Sequence, residues 1–518
     1  MVRGEKIADA AGLLMFAMVV SRILGYVRDV LIYARFGQNN ITDAYQAAFS
    51  IPDFLYLLLV GGALSSAFIP VFAGYLATDQ EDEAWKVASI VFNFVIVLML
   101  LGIGLGLFYT PQLMRLLVPG FDPPTMRLAV TLTRIMFVQA FFMALSGVTM
   151  GVLHSYRYFT ATAAAAILYN LGIILVGWFL SPYLGIMAFS LGVVVGAMAN
   201  FFVQLPPLLR RGLRYHFSFD LSHPGVRRLW QLMVPVLASL SVTQLNLFVN
   251  QNLASTLAPG LVAALRTAQR LMQLPVGTFA VALAVAAFPS LTAQAAQGKY
   301  AAYRHTLAQG LRSMFFLMLP ATLGLMALGV PIVRLLFEQG RFTPAATQAT
   351  AYALLFYAVG IVAYGSLQLL NRAFYAVQDT ATPMLVGMFT IALNIWLNLI
   401  LIGRLGHGGL ALAYSLAGIF NMVLLLFLLR RRLGPMGGRR LALSAAKSLV
   451  AALLAASAAW TVAGRLEPQV LLLGKLGQVQ QVGAALAVAL GVFLLAAVAL
   501  RMEETGQAWQ LVRRRLGR

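Results

Sequence analysis

The chain reads as an all-α polytopic membrane protein: fourteen transmembrane helices, in two six-helix lobes related by a pseudo-two-fold axis plus two C-terminal helices. Three observations carry that reading. Of the 518 residues, 61% are hydrophobic and 10% charged, and the apolar residues form repeated runs of twenty or more, the length that crosses a hydrocarbon core. Those runs are continuous and do not alternate, which excludes a β-barrel. The basic residues gather in alternate loops, the asymmetry that places such loops inside.

The runs fall at 8–33, 45–76, 86–109, 128–154, 158–180, 184–209, 228–255, 263–294, 301–328, 347–376, 382–403, 408–430, 441–463 and 477–501. The first is long, lacks a small-residue cleavage site and continues into charge, so no cleavable signal peptide is expected. With the N-terminus inside, most of the 37 Lys and Arg fall on the inner face, including Arg210, Arg211, Arg227, Arg228, Arg430 to Arg432, Arg439 and Arg440. Both termini are expected in the cytoplasm. The net charge of +21 then needs only anionic lipid beside basic loops and no nucleic-acid partner. Zero cysteines remove disulfides, thiol catalysis and cysteine metal sites.

The chain also repeats itself. Ile51-Pro52 opens an apolar run closed by Phe68-Ile69-Pro70, and Leu274-Pro275 opens another closed by Phe288-Pro289. His154-Ser155-Tyr156-Arg157-Tyr158 precedes a span containing Asn170, while Arg372-Ala373-Phe374-Tyr375 and Asp379-Thr380 precede one containing Asn394. Residues 1–215 and 216–435 are accordingly two parallel lobes about an axis along the membrane normal, and 436–518 hold the two extra helices. Such halves enclose a midplane site and work by alternating access. The basic, aromatic joint from Arg210 to Arg228 is expected on the membrane surface. The last two helices, rich in Ala, Leu and Val, carry no buried charge and read as packing or lipid-contact elements.

Within the first run stands Ser21-Arg22-Ile23-Leu24-Gly25-Tyr26-Val27-Arg28-Asp29. Charge near a bilayer centre costs at least ~2.5 kcal/mol per residue and is kept where it faces protein or a water-filled cavity. Counting ~1.5 Å per residue from Ala10, Arg22 lies ~18 Å deep and Arg28 ~27 Å. Arg22 is therefore far from either interface. Two readings fit Arg28 and Asp29, a cavity or an ordinary interface reached by snorkelling. Arg266 and Arg270, four apart in the eighth run, share a helix face. Guanidinium groups bind phosphate in a bidentate fashion and stay charged where water is scarce, so these arginines suit a large phosphorylated anion; Arg266, only a few residues inside its run, fits the outer interface as well, and Arg270 lies deeper.

Other residues keep two readings each. Asp43 caps the second helix or acts in gating. Pro52, Pro70, Pro275, Pro289 and Gly61-Gly62 kink and pack helices or serve as hinges. Asn394 and Asn398, one turn apart, bind a monovalent cation with Asn250 or bond between helices. Catalysis finds little support: the five histidines fall in loops or at span ends, and no two acids pair for acid–base work. No enzyme activity, metal or cofactor is expected.

Several stretches resemble one family. The Ser21–Asp29 motif, Thr42-Asp43-Ala44-Tyr45, Gly62-Ala63-Leu64-Ser65-Ser66-Ala67-Phe68-Ile69-Pro70, Arg270-Leu271-Met272-Gln273-Leu274-Pro275, Leu336-Phe337-Glu338-Gln339-Gly340-Arg341-Phe342-Thr343 and the run from Arg372 to Thr380 are similar to the MurJ (MviN) lipid II flippases, within the superfamily that includes multidrug exporters and polysaccharide-lipid flippases. The resemblance weakens after about Gly434. It implies fourteen helices, with a lipid-facing groove on the last two. The implied activity moves the undecaprenyl-diphosphate-linked disaccharide-pentapeptide of peptidoglycan synthesis from the inner to the outer leaflet of the bacterial cytoplasmic membrane. By the same resemblance Arg22, Arg28, Asp29, Arg270 and Asp43 are functional positions, the first four for substrate; Asp43, Pro52, Gly62, Ser65, Pro275 and Asp379 are read as gating or structural ones. Lipid II and membrane lipids are the expected partners, other membrane proteins of peptidoglycan synthesis are candidates, and a monomer is expected. Rival readings are export of another polyprenyl-linked glycan or of amphipathic drugs, and a non-transporting structural role in wall synthesis.

The chain also departs from the family pattern. Many members carry a basic pair where it has Tyr56-Leu57, an acid where it has Gly61, and Asp-Arg where it has Gln269-Arg270. A cation site near Asn250, Asn394 and Asn398 lacks carboxylates, so membrane potential is the expected driving force and sodium the weaker alternative.

Overall fold

A computed structural model describes residues 7–60 and 63–506; side chains at 7–11, 59, 63–66, 235–236, 238–243 and 471 are not described. Among the described residues every regular element is helical. In order these are α1 (Ile7–Phe36), α2 (Asn40–Ala48), α3 (Ser50–Leu59), α4 (Ala63–Ala77), α5 (Glu81–Leu117), α6 (Pro123–Ser155), α7 (Thr160–Leu184), α8 (Met187–Phe202), α9 (Leu205–Arg210), α10 (Pro224–Ser255) and α11 (Leu261–Pro275). A π-helical turn (Val276–Ala280) follows, then α12 (Val281–Ala296), α13 (Tyr300–Phe337), α14 (Pro344–Ala358), α15 (Ile361–Ala376), α16 (Ala381–Leu405), α17 (His407–Leu433), α18 (Gly438–Leu473) and α19 (Lys475–Ala499).

Ten described helices are long and apolar enough to cross a membrane, and the pair α14 and α15, bent by 46°, makes eleven if it is one span. The protein is thus a multi-pass membrane protein. The first, second and seventh expected runs include residues whose side chains are not described and are not among these helices; the second is divided into α2, α3 and α4.

Two compact units divide the chain. One holds it up to Val262 together with Gln339–Phe342, the other Ala263–Glu338 and everything from Thr343 on. This division by packing leaves α10 in the first unit, whereas the repeat reading begins a second lobe at 216.

In the first unit, one apolar cluster gathers Phe68, Phe72 and Trp85 with α6, and another joins the end of α1 to α2, α6 and α8. Helices α7 and α8 approach through glycine: a Cβ on Gly172 would sit 2.6 Å from the Gly196 Cα, and one on Gly196 2.4 Å from the Tyr169 carbonyl oxygen. Gly192 and Gly196 stand in the small-xxx-small spacing that lets membrane helices touch.

The joint before α10 is clasped along α5. The Ser89 hydroxyl accepts from His216 N (3.0 Å), the Asn93 amide donates to Ser218 O (2.8 Å) and Tyr215 donates to Asn93 Oδ1 (2.5 Å). Phe217 and Leu221 are left exposed. Two polar residues inside an apolar helix are thereby satisfied by the joint's own groups, as burial requires.

In the second unit α18 and α19 pack on α13 through small and aromatic residues: Phe316, Ala451, Ala455 and Phe493 near one end, Leu328, Ala459 and Ala485 further along. Packing was expected, but charge frames both ends. Arg312 donates to Glu503 (2.7 Å) and Glu504 (2.8 Å), and Ser444 also donates to Glu504 (2.8 Å). Arg334 donates to Glu467 (2.6 Å), whose other oxygen accepts from Gln481 (2.7 Å). Glu504 is buried, and removing one partner of a buried pair costs ~3–5 kcal/mol. Arg312→Ala is therefore expected to lower the thermal midpoint of the purified protein, and Arg312→Ala with Glu504→Gln to recover part of the loss; an unchanged midpoint in the single variant would refute the clamp.

Matching turns recur in the two units. After α6, Arg157 has φ +56° and Tyr158 N donates to Leu153 O; after α15, Gln378 has φ +59° and Asp379 N donates to Phe374 O. After α7 and α16 come Gly185 (φ +58°) and Gly406 (φ +55°).

Candidate functional site

Arg28 lies on α1, where Asp29 is buried and Arg28 half-buried. Neighbouring residues on a helix point ~100° apart, so the guanidinium folds back across the helix. Its Nε and Nη2 both donate to Asp29 Oδ1, at 3.0 and 2.9 Å, and Nη1 donates to Asn170 Oδ1 at 3.2 Å. Asn170, on α7, is locked in turn: its Nδ2 donates to Ser21 Oγ at 3.0 Å, and the Ser21 hydroxyl donates to Ala166 O at 3.1 Å. Gly25 faces Asn170 without crowding, a Cβ there lying 3.7 Å from Oδ1.

A guanidinium has five N–H donors. Three serve this frame, so one N–H on each Nη is left for a further acceptor. Both counter-groups fix the fork and neither exhausts it. That is the arrangement a phosphate-binding arginine needs. Arg22 differs: it is exposed, and among the described residues its side chain makes no hydrogen bond or ion pair.

Arg270 belongs to the second unit. Helix α11 buries Ala264, Leu265, Ala268, Leu271 and Met272, while Arg266, Gln269, Arg270 and Gln273 form the opposite, less buried stripe. A polar stripe containing two arginines, on a helix whose other face is packed, is suited to line water rather than acyl chains. Pro275 ends α11 at the π turn, one of the standard sites of a helix break.

Asp43 serves a junction in the first unit. It sits in the first turn of α2, which Asn39 caps with a reciprocal bond from Thr42. The buried Asp43 carboxylate accepts from Gly260 N (2.5 Å), while Gln38 donates to Gly260 O (2.9 Å). Arg341 N donates to Ala34 O (2.7 Å), and Phe342 meets Tyr33 edge-on at 5.7 Å. The end of α1 and the start of α2 thus hold two loops, near 260 and at 339–342. The cap of α2 is therefore Asn39 and not Asp43, whose carboxylate fastens the loop at Gly260 instead.

Asp379 binds the start of α16: it accepts from Thr382 N (2.9 Å) and Oγ1 (2.8 Å), and from Arg432 (2.5 Å). Burial pushes its carboxyl up, but these bonds and the Arg432 charge hold it below the usual carboxylate range. Pro52 is buried in the first turn of α3. Gly62 lies outside the described residues, and so does the Ser65 side chain. Asn398 donates to Asn394 (3.2 Å) inside α16 in the second unit, and Asn250 to Asn246 O (2.7 Å) inside α10 in the first.

An apolar cleft of about 650 Å³ opens in the first unit between α3, α5 and α10, lined by Phe54, Leu105, Tyr109, Leu113 and Phe248. Its lining suits a hydrocarbon chain and no charged head.

A family model described as "Lipid II flippase MurJ" matches residues 32–500. The chain belongs to the MurJ family. A "Probable lipid II flippase MurJ" of Vibrio cholerae is 32% identical over 427 residues, 80% of this chain and 81% of that protein. A "Lipid II flippase MurJ" of Burkholderia cenocepacia is 33% identical over 423 residues, 80% and 82% of the two chains. The fold agrees: a solved structure titled "Lipid II flippase MurJ, inward closed conformation" superimposes with TM-score 0.79 at 27% identity, over 94% of this chain and 99% of that one. An inward-facing multidrug MATE transporter shares the fold, at TM-score 0.69 and 14% identity, over 81% of this chain and 98% of that one.

Sequence reasoning had used Asn170 only as a landmark of the repeat, although an asparagine within an apolar span already signals a partner. Gly260, which meets Asp43, and the 339–342 loop, which meets Ala34 and Tyr33, carry no local signal beyond turn-forming glycine.

Proposed function

We propose that this MurJ-family chain is a flippase that carries lipid II, a polyprenyl-diphosphate-linked disaccharide-pentapeptide, from the inner to the outer leaflet by alternating access. One observation carries the reading: Arg28 is held by Asp29 and Asn170 with guanidinium N–H groups to spare. In the second unit the polar stripe of α11 carries Arg266 and Arg270, whose guanidinium groups also suit a phosphorylated anion. Fourteen helices in lobes 1–215 and 216–435, with 436–518 as a lipid-facing pair, is the accompanying architecture, and the turns matched between Arg157 and Gln378 and between Gly185 and Gly406 support it. The basic-loop bias supports residence in the bacterial cytoplasmic membrane with both termini inside. A monomer suffices for this reading, and partner proteins of peptidoglycan synthesis stay candidates.

Membrane potential is the proposed driving force, since moving one charge through 100 mV is worth ~2.3 kcal/mol. In proteoliposomes carrying labelled lipid II, an inside-negative potential is expected to accelerate flipping, and replacing sodium by choline to leave the rate unchanged. A rate indifferent to potential but lost without sodium would overturn this and restore the cation reading of Asn250, Asn394 and Asn398. Arg266→Gln with Arg270→Gln is expected to reduce flipping at least tenfold; wild-type rates would remove α11 from substrate binding.

A further inference from the structure

The second unit contains a basic recess that the transport reading does not use. It lies where α13 begins, beside the α17–α18 joint and the residues following α19, and measures about 310 Å³. Arg304, His305, Arg312, Gly437, Arg440 and Glu503 are among its lining residues.

Its charges are not matched within the chain. Arg312 is spent on Glu503 and Glu504. Arg304 gives one N–H to Leu433 O at 2.8 Å and keeps others. Arg440 and His305 are exposed, and among the described residues their side chains make no hydrogen bond. The Glu503 carboxyl is held below its usual range by Arg312 first, with Arg440 and Lys447 adding to it. Several cationic groups therefore converge on one exposed acid.

The joint is shaped for this. Gly434 has φ +90° and Gly437 φ +69°, a conformation that costs an L side chain ~1–2 kcal/mol. A Cβ on Gly434 would also lie 2.8 Å from Arg304 Nη1. Glycine there lets the joint fold against Arg304.

The recess stands at the water-facing end of membrane-crossing helices. Leu443, Leu449 and Val450 on α18 are exposed apolar residues within three turns of Arg440, at the level where acyl chains run. Basic pockets at this height take lipid head groups. We propose that this recess binds the phosphodiester head of an anionic phospholipid, with Arg440 and Arg304 donating to the phosphate and the acyl chains lying along α18. A soluble phosphate ester shares the chemistry but has no use for the apolar flank.

The test uses the purified full chain, delipidated in detergent and offered phosphatidylglycerol or phosphatidylcholine at equal mole fraction, with bound lipid counted by native mass spectrometry. Phosphatidylglycerol is expected to be retained in preference. Arg440→Gln with His305→Gln, which leaves the Arg312 ion pairs intact, is expected to weaken its binding about tenfold. Arg439→Gln, a neighbouring exposed arginine outside the recess, is expected to have no effect. Equal retention of the two lipids overturns the proposal, as does an Arg439→Gln loss matching that of the double variant. Displacement of phosphatidylglycerol by millimolar glycerol phosphate alone would assign the recess to a soluble ester and overturn the lipid.

Discussion

Arg28→Ala is expected to abolish complementation of a flippase-depleted cell. The substitution removes two donors from Asp29 and one from Asn170, so it acts twice. It deletes the groups offered to the diphosphate, and it takes two charge-assisted hydrogen bonds from the buried Asp29 carboxylate. A second variant separates the effects. Arg28→Ala with Asp29→Asn also takes away the buried negative charge, so its abundance in the membrane is expected to approach that of the parent protein while flipping stays lost. Arg28→Lys keeps the charge but has three donors at a point instead of a planar fork, and is expected to lose at least tenfold in rate. If the double variant flips lipid II normally in proteoliposomes, Arg28 is a structural residue and the substrate assignment falls.

Gly340→Ala is the second large effect. Gly340 has φ +61°, and a Cβ there would lie 2.2 Å from the Ala34 carbonyl oxygen, a backbone atom that cannot swing aside. Left-handed backbone alone costs ~1–2 kcal/mol for an L residue, and the clash adds to it. The 339–342 loop is expected to leave its seat on α1, breaking the Arg341 N bond to Ala34 O and the contact of Phe342 with Tyr33. Because the chain has no cysteine and Phe342 is buried, a Phe342→Cys background reports this directly: maleimide labelling should rise severalfold in Gly340→Ala, and transport should fall. Gly387→Ala, where nothing lies within 4 Å of the added carbon, should change neither. Unaltered labelling would show that the loop tolerates the side chain.

Legibility in the sequence differed residue by residue. Arg22, Arg28 and Asp29 stood out because charge within an apolar run is costly and therefore informative by itself. Arg270 stood out for the same reason, and the i, i+4 spacing from Arg266 already placed both on one face. Asn170, in contrast, was readable only as a polar residue in a span. Its role as the second acceptor for Arg28 depends on α7 packing against α1, through contacts 142 residues apart. The reach of Asp43 to Gly260 spans 217 residues, and no local pattern specifies such a pairing. The charge at the ends of α18 and α19 was missed because Glu467 and Glu504 lie at or past the ends of apolar runs, where a charge costs little and so says little.

What the sequence alone determined is the solvent this protein folds in, its helical class and the residues too costly to be there by accident. Each follows from composition and local periodicity, which act within a few turns of helix. What the tertiary structure decided is which groups hold those residues: Asn170 for Arg28, Gly260 for Asp43, Arg432 for Asp379. Hydrogen bonds form between atoms about 3 Å apart, and only the packing of distant helices brings these atoms that close.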